Sequence, residues 1–534
     1  MLCLVHFYDE WKDFRLAEMA QLLNLFQSEF KIVGGDTLPE DKVFLLVELA
    51  SEDVAVQLCN RAVLIKNIYE VLAHAGSFLE LVDKAKEVNS SGVASIEEIR
   101  QNSSKSWCME VQTYGRVLKK EEKDILRDTF SFFDLRGPVV IKHADTTFTI
   151  NIDFSKHRSA IAAGTYVPES VFPDVTCYFG RVLGRGVMKD ALKKYHLEKR
   201  LFLGPTTLDH TLSMIMCNLA GVRAHHLVLD PFVGTASILI AASHLGAHCT
   251  GTDIDIRVLK GGMYAGASRD AKAAAAAGPA GSPPSGISAL AAKRDIFANF
   301  QSYNLPAPEL VRLDLHSFEA HYNVSHMSHN AQDGWFDVLV TDPPYGIRAG
   351  GRKSGRQGEP ALGRDVAPMD AEQRSTHIPA TQSYPVEEVM LDLVHAAARL
   401  LVVGGSLCYL LPTPYNFEVA DLPQHPCLRL DALCLQGLST RHGRHAVLLR
   451  KHCVYTPALQ QQFADYSARV LSGQDIAGFG SLKGKLEAAL APGAHTDDAV
   501  VKRKSRQCEK RQASKQAKKL ERLQRQGQPM AEAM

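Results

Sequence analysis

The sequence lacks paired cysteines: its 11 cysteines stand singly, and no two of them form a C-x-x-C motif. That spacing disfavours a structural metal or a disulfide framework, so we expect no metal site and a reducing compartment. No apolar run approaches the ~18 residues that a membrane-spanning helix needs. The N-terminus has no basic region before Asp9 and Glu10, which argues against a signal peptide. These absences predict a soluble, cytoplasmic protein.

Charge of either sign is in little excess, because the net charge of the whole chain is +1. Its distribution is nevertheless uneven. Residues 502–525 contain eleven Lys or Arg against Glu509 and Glu521, so the rest of the chain is acidic. A basic tail on an acidic body predicts an arm that contacts a polyanion, or else a solvated helix that binds nothing.

The spacing of apolar residues divides the 534 residues into three parts. Residues 1–180 mix helix-like and strand-like spacings, which predicts an α+β region. Residues 190–455 alternate strands with helices, which predicts an α/β domain whose parallel sheet is covered on both faces. Residues 456–534 are predicted to form helical segments and the basic tail. An alanine-rich, low-complexity insertion at 265–292 should lie outside the core.

Individual elements can be placed within these parts. In the first part, helix-like spacing covers Leu16–Phe26. Strands are predicted there at Val43–Leu49, Cys108–Gln112, Val139–Lys142 and Thr147–Ile152. In the central part, strands are predicted at Leu227–Leu229, Cys249–Thr252, 310–313 and Phe336–Val340. An aspartate follows each of the central strands closely, which draws attention to their carboxyl ends.

Glycine is sparse in the turn that follows the first central strand. A dinucleotide-binding turn needs G-x-G-x-x-G, but only Gly234 is present, and Asp230 lies where a pyrophosphate would need neutral donors. This turn therefore suits a cationic nucleoside such as S-adenosylmethionine. Asp253, at the end of the next strand, is placed to accept from ribose hydroxyls, and Asp314 from an adenine amino group. Three such acids predict a nucleoside site, although any one of them alone fits a structural βαβ unit.

The stretch VTDPPYGIR at 340–348 ends the fourth central strand in a rigid corner. Asp342 and the carbonyl of Pro343 could both accept hydrogens from an exocyclic amino group, which would direct the nitrogen lone pair at a methyl donor. Pro343 and Pro344 fix the backbone, and Tyr345 offers a ring to a base turned out of its stack. The motif alone could be a simple turn. Beside a nucleoside site, it predicts amino-methylation.

The segment after this corner, 346–364, is rich in Gly and Arg and predicts a mobile loop. Arg348, Arg352 and Lys353 could bind phosphates of an RNA substrate next to the reacting base. An ordinary solvated loop is the alternative for each of these residues taken singly.

Three segments together resemble the eukaryotic tRNA guanosine N2-methyltransferases that act at position 10. They are KRLFLGPTTLDHTLSMIMCNLAG at 199–221, VLDPFVGTASILIAASHLGAHCTGTDID at 228–255 and TDPPYGIR at 341–348. The resemblance extends through HPCLRLDALCLQGLSTRHGRHAVLLR at 425–450 and, more weakly, back to FRLAEMAQLLNLF and LCNRAVLIKNIYEVLAHAG. It covers most of residues 1–455, and the combination of motifs is highly specific.

The resemblance implies a THUMP domain that binds tRNA in the N-terminal region, followed by a class I (Rossmann-like) methyltransferase domain. It implies S-adenosylmethionine as the donor and a small zinc-binding activator subunit as the partner. It also implies that Phe202–Asp209 closes over the cofactor. The expected cofactor-binding residues are Thr207, Asp209, Asp230, Phe232, Gly234, Thr235, Asp253, Ile254 and Asp314. Ala236 departs from the family pattern, which has a second glycine there, and its methyl group is compatible with a residue that is already helical.

Other functions remain open at this point. An amino-methyltransferase of the same fold could act on adenine N6 or on a protein glutamine amide, although the glutamine enzymes have N-P-P-Y rather than a corner with Asp342. A tRNA-binding factor without catalytic activity is the alternative from a different class. The presence of Asp230, Asp253 and Asp342 together argues against that alternative.

Overall fold

The structure is a computed structural model that describes residues 1–35, 38, 39, 42–157, 161, 172, 174–204, 206–261, 295–322, 334–345, 350–355, 380–475 and 478–491. The described residues divide into two units. The first comprises Met1–Arg200 and Asp209–Val222, and the second comprises Leu201–Leu208 and the residues from Arg223 onward. The alanine-rich insertion at 265–292 and the basic stretch at 502–525 lie outside the described residues.

The first unit contains a mixed sheet of seven strands in the order β2-β3-β1-β4-β7-β6-β5. Its strands are β1 (Leu2–Phe7), β2 (Phe30–Ile32), β3 (Phe44–Leu49), β4 (Ile65–Ala75), β5 (Trp107–Tyr114), β6 (Thr146–Asp153) and β7 (Thr176–Arg185). Strands β5 and β6 pair in parallel, and the other neighbours pair antiparallel. The α+β prediction for this region is confirmed.

One predicted strand of this unit is wrong. Val139–Lys142 forms only an isolated bridge, between Val139 and Trp107, and no strand. Val139 and Ile141 are 65% and 87% exposed, so this apolar run has no buried face that would hold it in a sheet. The helix predicted at Leu16–Phe26 is present at Phe14–Leu25, so it begins two residues earlier and ends one residue earlier than predicted.

The helices of the first unit include one that lies late in the sequence. They are α1 (Phe14–Leu25), α2 (Glu52–Arg61), α3 (Phe78–Ser90), α4 (Ala94–Gln101), α5 (Lys120–Asp128), α6 (Met188–Ala191) and α7 (His210–Leu219). The buried Asn218 of α7 donates to Glu18 Oε1 at 2.7 Å, and its own Oδ1 accepts from Arg61 at 2.7 Å. Glu18 also accepts from the backbone of Val63 and Leu64, so α7 belongs to a buried polar network of this unit.

The second unit contains seven strands in the order β10-β9-β8-β11-β14-β16-β15. They are β8 (Leu227–Asp230), β9 (His248–Asp253), β10 (Glu309–Arg312), β11 (Phe336–Thr341), β14 (Leu401–Pro414), β15 (Leu428–Gly437) and β16 (His442–Lys451). A separate two-stranded antiparallel sheet contains β12 (Arg352–Ser354) and β13 (Thr381–Ser383). The first five strands of the order run parallel, whereas β16 is antiparallel to both β14 and β15. The predicted parallel sheet is confirmed.

Helices and buried apolar side chains accompany this second sheet. The helices are α8 (Ser237–His244), α9 (Ile256–Lys260), α10 (Ile296–Ser302), α11 (Phe318–His321), α12 (Val386–Leu400), α13 (Pro457–Leu471) and α14 (Leu482–Leu490). The core contains Leu229, Leu339, Leu393 and Leu407, all at most 1% exposed. None of the helices in the described part of the chain has the length and apolar character needed to cross a membrane. The α/β, Rossmann-like fold predicted from the sequence is confirmed.

Candidate active site

Asp230 is a buried acid at the carboxyl end of β8, with 2% of its surface exposed. Its Oδ1 accepts a hydrogen bond from Thr341 Oγ1 at 2.6 Å and another from the backbone N–H of Phe232 at 3.1 Å. Thr341 is the last residue of β11, so the first bond joins the ends of two neighbouring strands. The order of the sheet reverses between these strands, which is where open α/β sheets bind ligands.

The proton affinity of Asp230 is unusually high. Burial, helped by the negative charges of Asp342 and Asp253, raises the pKa of Asp230 to about 7, although the bonds from Thr341 and Phe232 favour the carboxylate. A carboxyl group with a pKa near neutrality responds strongly to a cation that arrives beside it, because the cation favours the ionised form.

The turn between β8 and α8 contains two residues in the left-handed region. Gly234 has φ +47°, and the place where its side chain would lie is open, with Phe232 O the nearest atom at 3.9 Å. A ligand can therefore approach the backbone at Gly234 closely. Ala236 has φ 61° and ψ 32°, which is left-handed backbone. The right-handed helical conformation that would accommodate its methyl group without strain is therefore absent. Left-handed backbone costs an L-residue roughly 1 to 2 kcal/mol, and Ala236 is strained.

Asp253, the last residue of β9, accepts a hydrogen bond from the turn between β8 and α8. Its Oδ2 accepts from the backbone N–H of Gly234 at 3.1 Å, and its Oδ1 from that of Asp255 at 2.9 Å. Burial raises the pKa of Asp253. Asp255 instead accepts from Arg257 through both oxygens, at 2.8 and 2.7 Å, and these bonds lower the pKa of Asp255. Asp253 is therefore the acid in contact with the turn.

The segment before β8 meets the turn through two threonines. The hydroxyls of Thr207 and Thr235 lie 3.0 Å apart, and Thr207 Oγ1 accepts from the N–H of Gly204 at 2.9 Å. A side chain at Gly204 would approach the Thr235 methyl group within 2.9 Å, so glycine is required for this contact. Phe232 and Ile254, two further predicted cofactor residues, are half-buried beside the turn and after β9.

Asp209, another predicted cofactor residue, lies in the first unit and caps α7. Its Oδ1 accepts from the backbone N–H groups of Thr211 and Leu212 at 2.9 and 3.2 Å. Burial would raise the pKa of Asp209, but these bonds and the neighbouring His210 outweigh it and lower the pKa to about 2. The capping role accounts for an acid at this position, and the cofactor role stays a prediction.

Asp314 lies two residues beyond the end of β10, rather than at the strand end itself. Its Oδ1 accepts from the backbone N–H of His316 at 3.1 Å, and its Oδ2 from that of Ser354 in β12 at 2.6 Å. Both carboxylate oxygens of Asp314 therefore already accept a hydrogen bond from a backbone N–H group. An ionised carboxylate can accept about four hydrogen bonds, so contact with an adenine amino group stays a prediction.

The corner of Asp342, Pro343, Pro344 and Tyr345 follows β11 directly, as predicted. Pro343 is buried, and the other three residues are half-buried. Burial, followed by the negative charge of Asp342, raises the pKa of Tyr345 to about 12. The Tyr345 phenol is consequently neutral near pH 7 and can offer a ring and a hydroxyl, but it cannot act as a base there.

Arg444 is the residue of this corner that sequence reasoning missed. Its NH1 lies 3.7 Å from Asp342 Oδ2 and donates to Tyr345 Oη at 3.3 Å. Its Nε donates to Gln436 Oε1 at 2.5 Å. Arg444 is on β16, about a hundred residues from the corner along the chain, and it arrives there because β16 pairs with β14. No motif or spacing in the sequence carries that information.

The basic residues predicted to bind RNA are only partly described. Arg348 lies outside the described residues. Arg352 donates from Nε to Thr381 Oγ1 at 2.5 Å, and Lys353 pairs with Glu388. The irregular loop predicted at 346–364 is wrong for 352–354, which form β12. Because Lys353 is engaged with a carboxylate, the exposed Arg352 is the better placed of the two for a phosphate.

The acids and the turn together fit one kind of ligand. Asp230, Asp253 and Asp342 end three parallel strands that lie side by side, and the backbone at Gly234 is open. Acids in this number suit positive charge and hydroxyl donors, and S-adenosylmethionine has a sulfonium, an ammonium and two ribose hydroxyls. No group of three or more His, Cys, Asp or Glu side chains that could hold a metal ion occurs in the described part of the chain.

Two family models match the chain. Residues 1–187 match the model described as "Tmrp11 THUMP N-terminal domain". Residues 198–278 match the model described as "RMKL-like, methyltransferase domain". The first match covers the strands and helices of the first unit up to β7. The second begins just before the segment that contains Thr207 and covers Asp253 and the turn between β8 and α8.

Relatives named tRNA (guanine(10)-N(2))-methyltransferase TRMT11 match over nearly the whole chain. The relative from Dictyostelium discoideum is 30% identical over 476 residues, which cover 86% of this chain and 84% of the relative. The relative from Bos taurus is 32% identical over 449 residues, which cover 83% of this chain and 86% of the relative. The relative from Homo sapiens is 31% identical over the same shares.

Solved structures are similar at a lower level. TrmN from Thermus thermophilus is 13% identical with a TM-score of 0.36, and the match covers 84% of this chain and 100% of that chain. SMU.472, described as a putative methyltransferase complexed with SAH, is 11% identical with a TM-score of 0.34, and the match covers 85% of this chain and 99% of that chain.

Proposed function

Because the chain belongs to the tRNA (guanine(10)-N(2))-methyltransferase family, we propose that it transfers a methyl group from S-adenosylmethionine to the N2 amine of guanosine at position 10 of tRNA. The observation that carries this proposal is the position of Asp342. Its carboxylate stands at the end of β11, next to the strand that ends in Asp230, so an amine acceptor lies beside the acids that suit a cationic nucleoside.

Each residue of the site has a role in this reaction. S-adenosylmethionine, when bound, supplies a methyl group activated by a sulfonium. Asp253 accepts from hydroxyls of its ribose, Asp230 provides negative charge, and the backbone at Gly234 allows close approach. Asp342 and the Pro343 carbonyl accept the hydrogens of the guanine amine, and their interaction strengthens as positive charge develops on its nitrogen.

Tyr345 and the first unit serve the RNA. The Tyr345 ring, held by Arg444, supports a guanine turned out of its stack, while the THUMP-matched region binds the acceptor end of the tRNA. The shape of the tRNA, rather than base edges in its stems, then selects position 10, because side chains cannot read the deep, narrow major groove of an A-form stem.

A small zinc-binding activator subunit completes the proposed enzyme in the cytoplasm. Strand β10 is one of the two edge strands of the second sheet, and its outer edge has no neighbouring strand among the described residues. Val311 on this strand is 46% exposed. An open strand edge with an exposed apolar side chain can accept a strand from a partner, which supports docking there.

Substitution of Asp342 tests the proposed reaction. We expect Asp342→Asn to slow methyl transfer on the order of 100-fold, because the amide cannot match the charge that develops on the amine. Binding of donor and tRNA should be unchanged. The assay is single-turnover transfer of labelled methyl groups to tRNA by the full chain, co-expressed with the activator subunit.

Asp337→Asn is the matched control for this test. Asp337 lies on the same strand, but at its beginning, where Oδ2 accepts from the backbone N–H of Leu227 at 2.8 Å. This variant should transfer methyl groups at the parent rate. Transfer at the parent rate by Asp342→Asn would instead remove the assigned role, and equal inactivity of parent and variant would favour a tRNA-binding factor.

Analysis of the methylated nucleoside separates guanine from adenine as the target. Digestion of the modified tRNA followed by mass spectrometry should yield N2-methylguanosine from position 10. Recovery of N6-methyladenosine would select the alternative amino-methyltransferase.

A further inference from the structure

Arg444, on β16, contacts Asp342 and Tyr345 of the corner and also Gln436 on β15. In the sheet register it lies opposite Gln436 on β15 and opposite Pro412 on β14. Its guanidinium is held at one end by Gln436 and contacts Asp342 and Tyr345 at the other. A side chain fixed at three points presents its charge in one orientation, which a single surface ion pair does not achieve.

The charges near Asp342 indicate what the contact between Arg444 and Asp342 does. Among the described residues, the titratable groups that interact with Asp342 include Asp230 on β8, the phenol of Tyr345 and Arg444 on β16. Neighbouring acids oppose one another's ionisation, whereas an adjacent cation favours it. The side chains of Arg444 and Asp342 are only 13% and 21% exposed, so solvent screens their attraction less than at a surface.

These observations separate the roles of two acids. Asp230 accepts hydrogen bonds from the hydroxyl of Thr341 and from the backbone N–H of Phe232. Asp342 has the positive charge of Arg444 beside one of its oxygens. The positive charge of Arg444 therefore favours the carboxylate form of Asp342, which needs its negative charge for the guanine amine.

We propose that Arg444 is a positioning residue that keeps the Asp342 carboxylate ionised and holds it, together with the Tyr345 ring, in the geometry required for methyl transfer. The proposal rests on the proposed function, because the role given to Asp342 comes from there. Arg444 acts through Asp342 and Tyr345 and contacts no reacting atom itself.

The test compares Arg444→Gln and Arg444→Lys in single-turnover methyl transfer, measured from acidic to mildly basic pH with the full chain and the activator subunit. Arg444→Gln should slow transfer on the order of 10- to 100-fold, since loss of orientation alone can cost that much. The acid limb of its pH–rate profile should move to higher pH. Donor affinity, measured by calorimetry, should stay at the parent value.

Arg444→Lys separates charge from geometry. The ammonium restores a positive charge beside Asp342, so the acid limb should return towards the parent position. The rate should recover only in part, because lysine lacks the planar fork that contacts Asp342, Tyr345 and Gln436 together. In the Asp342→Asn background, Arg444→Gln should slow transfer less than it does in the parent, because the part of its effect that depends on the Asp342 charge is already lost.

Arg450→Gln is the matched control. Arg450 lies on the same strand and pairs with Asp431 at 2.5 Å, and we expect its substitution to leave the rate and the pH profile unchanged. A parent-like rate for Arg444→Gln, alongside a slow Asp342→Asn, overturns the positioning role and leaves the proposed function standing. Equal losses for Arg444→Gln and Arg450→Gln without a shift of the acid limb assign Arg444 a structural role and also overturn it.

Discussion

Asp230 makes the stability of the protein depend on pH. Its carboxyl group has a pKa near 7 in the folded protein, against an ordinary value of 3.8. The folded state therefore holds an extra proton between these values, so the free energy of unfolding falls as pH rises from about 4 to about 7. A shift of about three units corresponds to about 4 kcal/mol at most.

Asp230→Asn removes this dependence. In the absence of cofactor, we expect the variant to be more stable than the parent at mildly basic pH and to lose that advantage near pH 4. Denaturant unfolding of both proteins across this range gives the difference directly. A difference that is independent of pH would mean that the Asp230 carboxyl group has no raised pKa.

Ala236 offers a second prediction for a single residue. Ala236→Gly should raise the free energy of unfolding by up to about 1 kcal/mol, because glycine adopts φ 61° without strain but loses more entropy on folding. Ala242→Gly, in the interior of α8, is the control and should lower stability by about 1 kcal/mol. Thermal unfolding compares the two, and destabilisation of both to the same extent would rule out strain at Ala236.

The sequence predicted site residues where their role depends on strand ends alone. Asp230, Asp253 and Asp342 follow apolar runs that become parallel strands, and parallel strands bring their carboxyl ends to one edge. Arg444 could not be predicted, since its position depends on which strands pair. The strain at Ala236 could not be predicted either, because the amino-acid sequence specifies the side chain at a position but not its backbone dihedral angles.

At the scale of elements, α14 is fixed to the second unit by a buried charge. Asp421, which is fully buried, accepts from Lys485 Nζ at 2.8 Å through both oxygens and from Ser481 Oγ at 3.1 Å. Lys485→Met should lower the free energy of unfolding by about 2 to 3 kcal/mol, less than for a fully buried pair because Lys485 is partly exposed.

Lys483→Met is the control for this prediction. Lys483 lies on the same helix and approaches Glu387 only at 3.8 Å on the surface, so its loss should change stability by less than about 0.5 kcal/mol. Combining Lys485→Met with Asp421→Asn should recover part of the lost stability in denaturant unfolding. Failure of the second substitution to recover any would show that the charge of Asp421 is not the cause.

Elements differed in how far the sequence determined them. The strand predicted at Thr147–Ile152 is present with one further residue at each end, because its apolar side chains are buried. The run at Val139–Lys142 is also rich in β-branched residues but stays exposed. Helix α7 lies within the range predicted for the methyltransferase domain, yet Asn218 places it in the polar network of the first unit. Local patterns cannot reveal such long-range partners.

At the scale of the whole molecule, the choice of position 10 requires two contacts on one rigid RNA. Contacts that are linked in this way strengthen each other's binding and fix the distance between anchor and target. We expect removal of the 3′ end of the tRNA to raise KM for methylation by the full chain and to leave kcat near the parent value. Restoration of the 3′ end should restore KM, and a trimmed tRNA with unchanged KM would contradict an anchor at the acceptor end.

The attachment of α14 also sets how far the basic stretch can reach. Residue 502 follows Ala491, the last described residue, by eleven positions. A polypeptide spans at most about 3.5 Å per residue, so the first lysine of that stretch lies within about 40 Å of the end of α14. Any phosphate that Lys502 contacts must therefore lie within that distance of α14, plus the length of the lysine side chain.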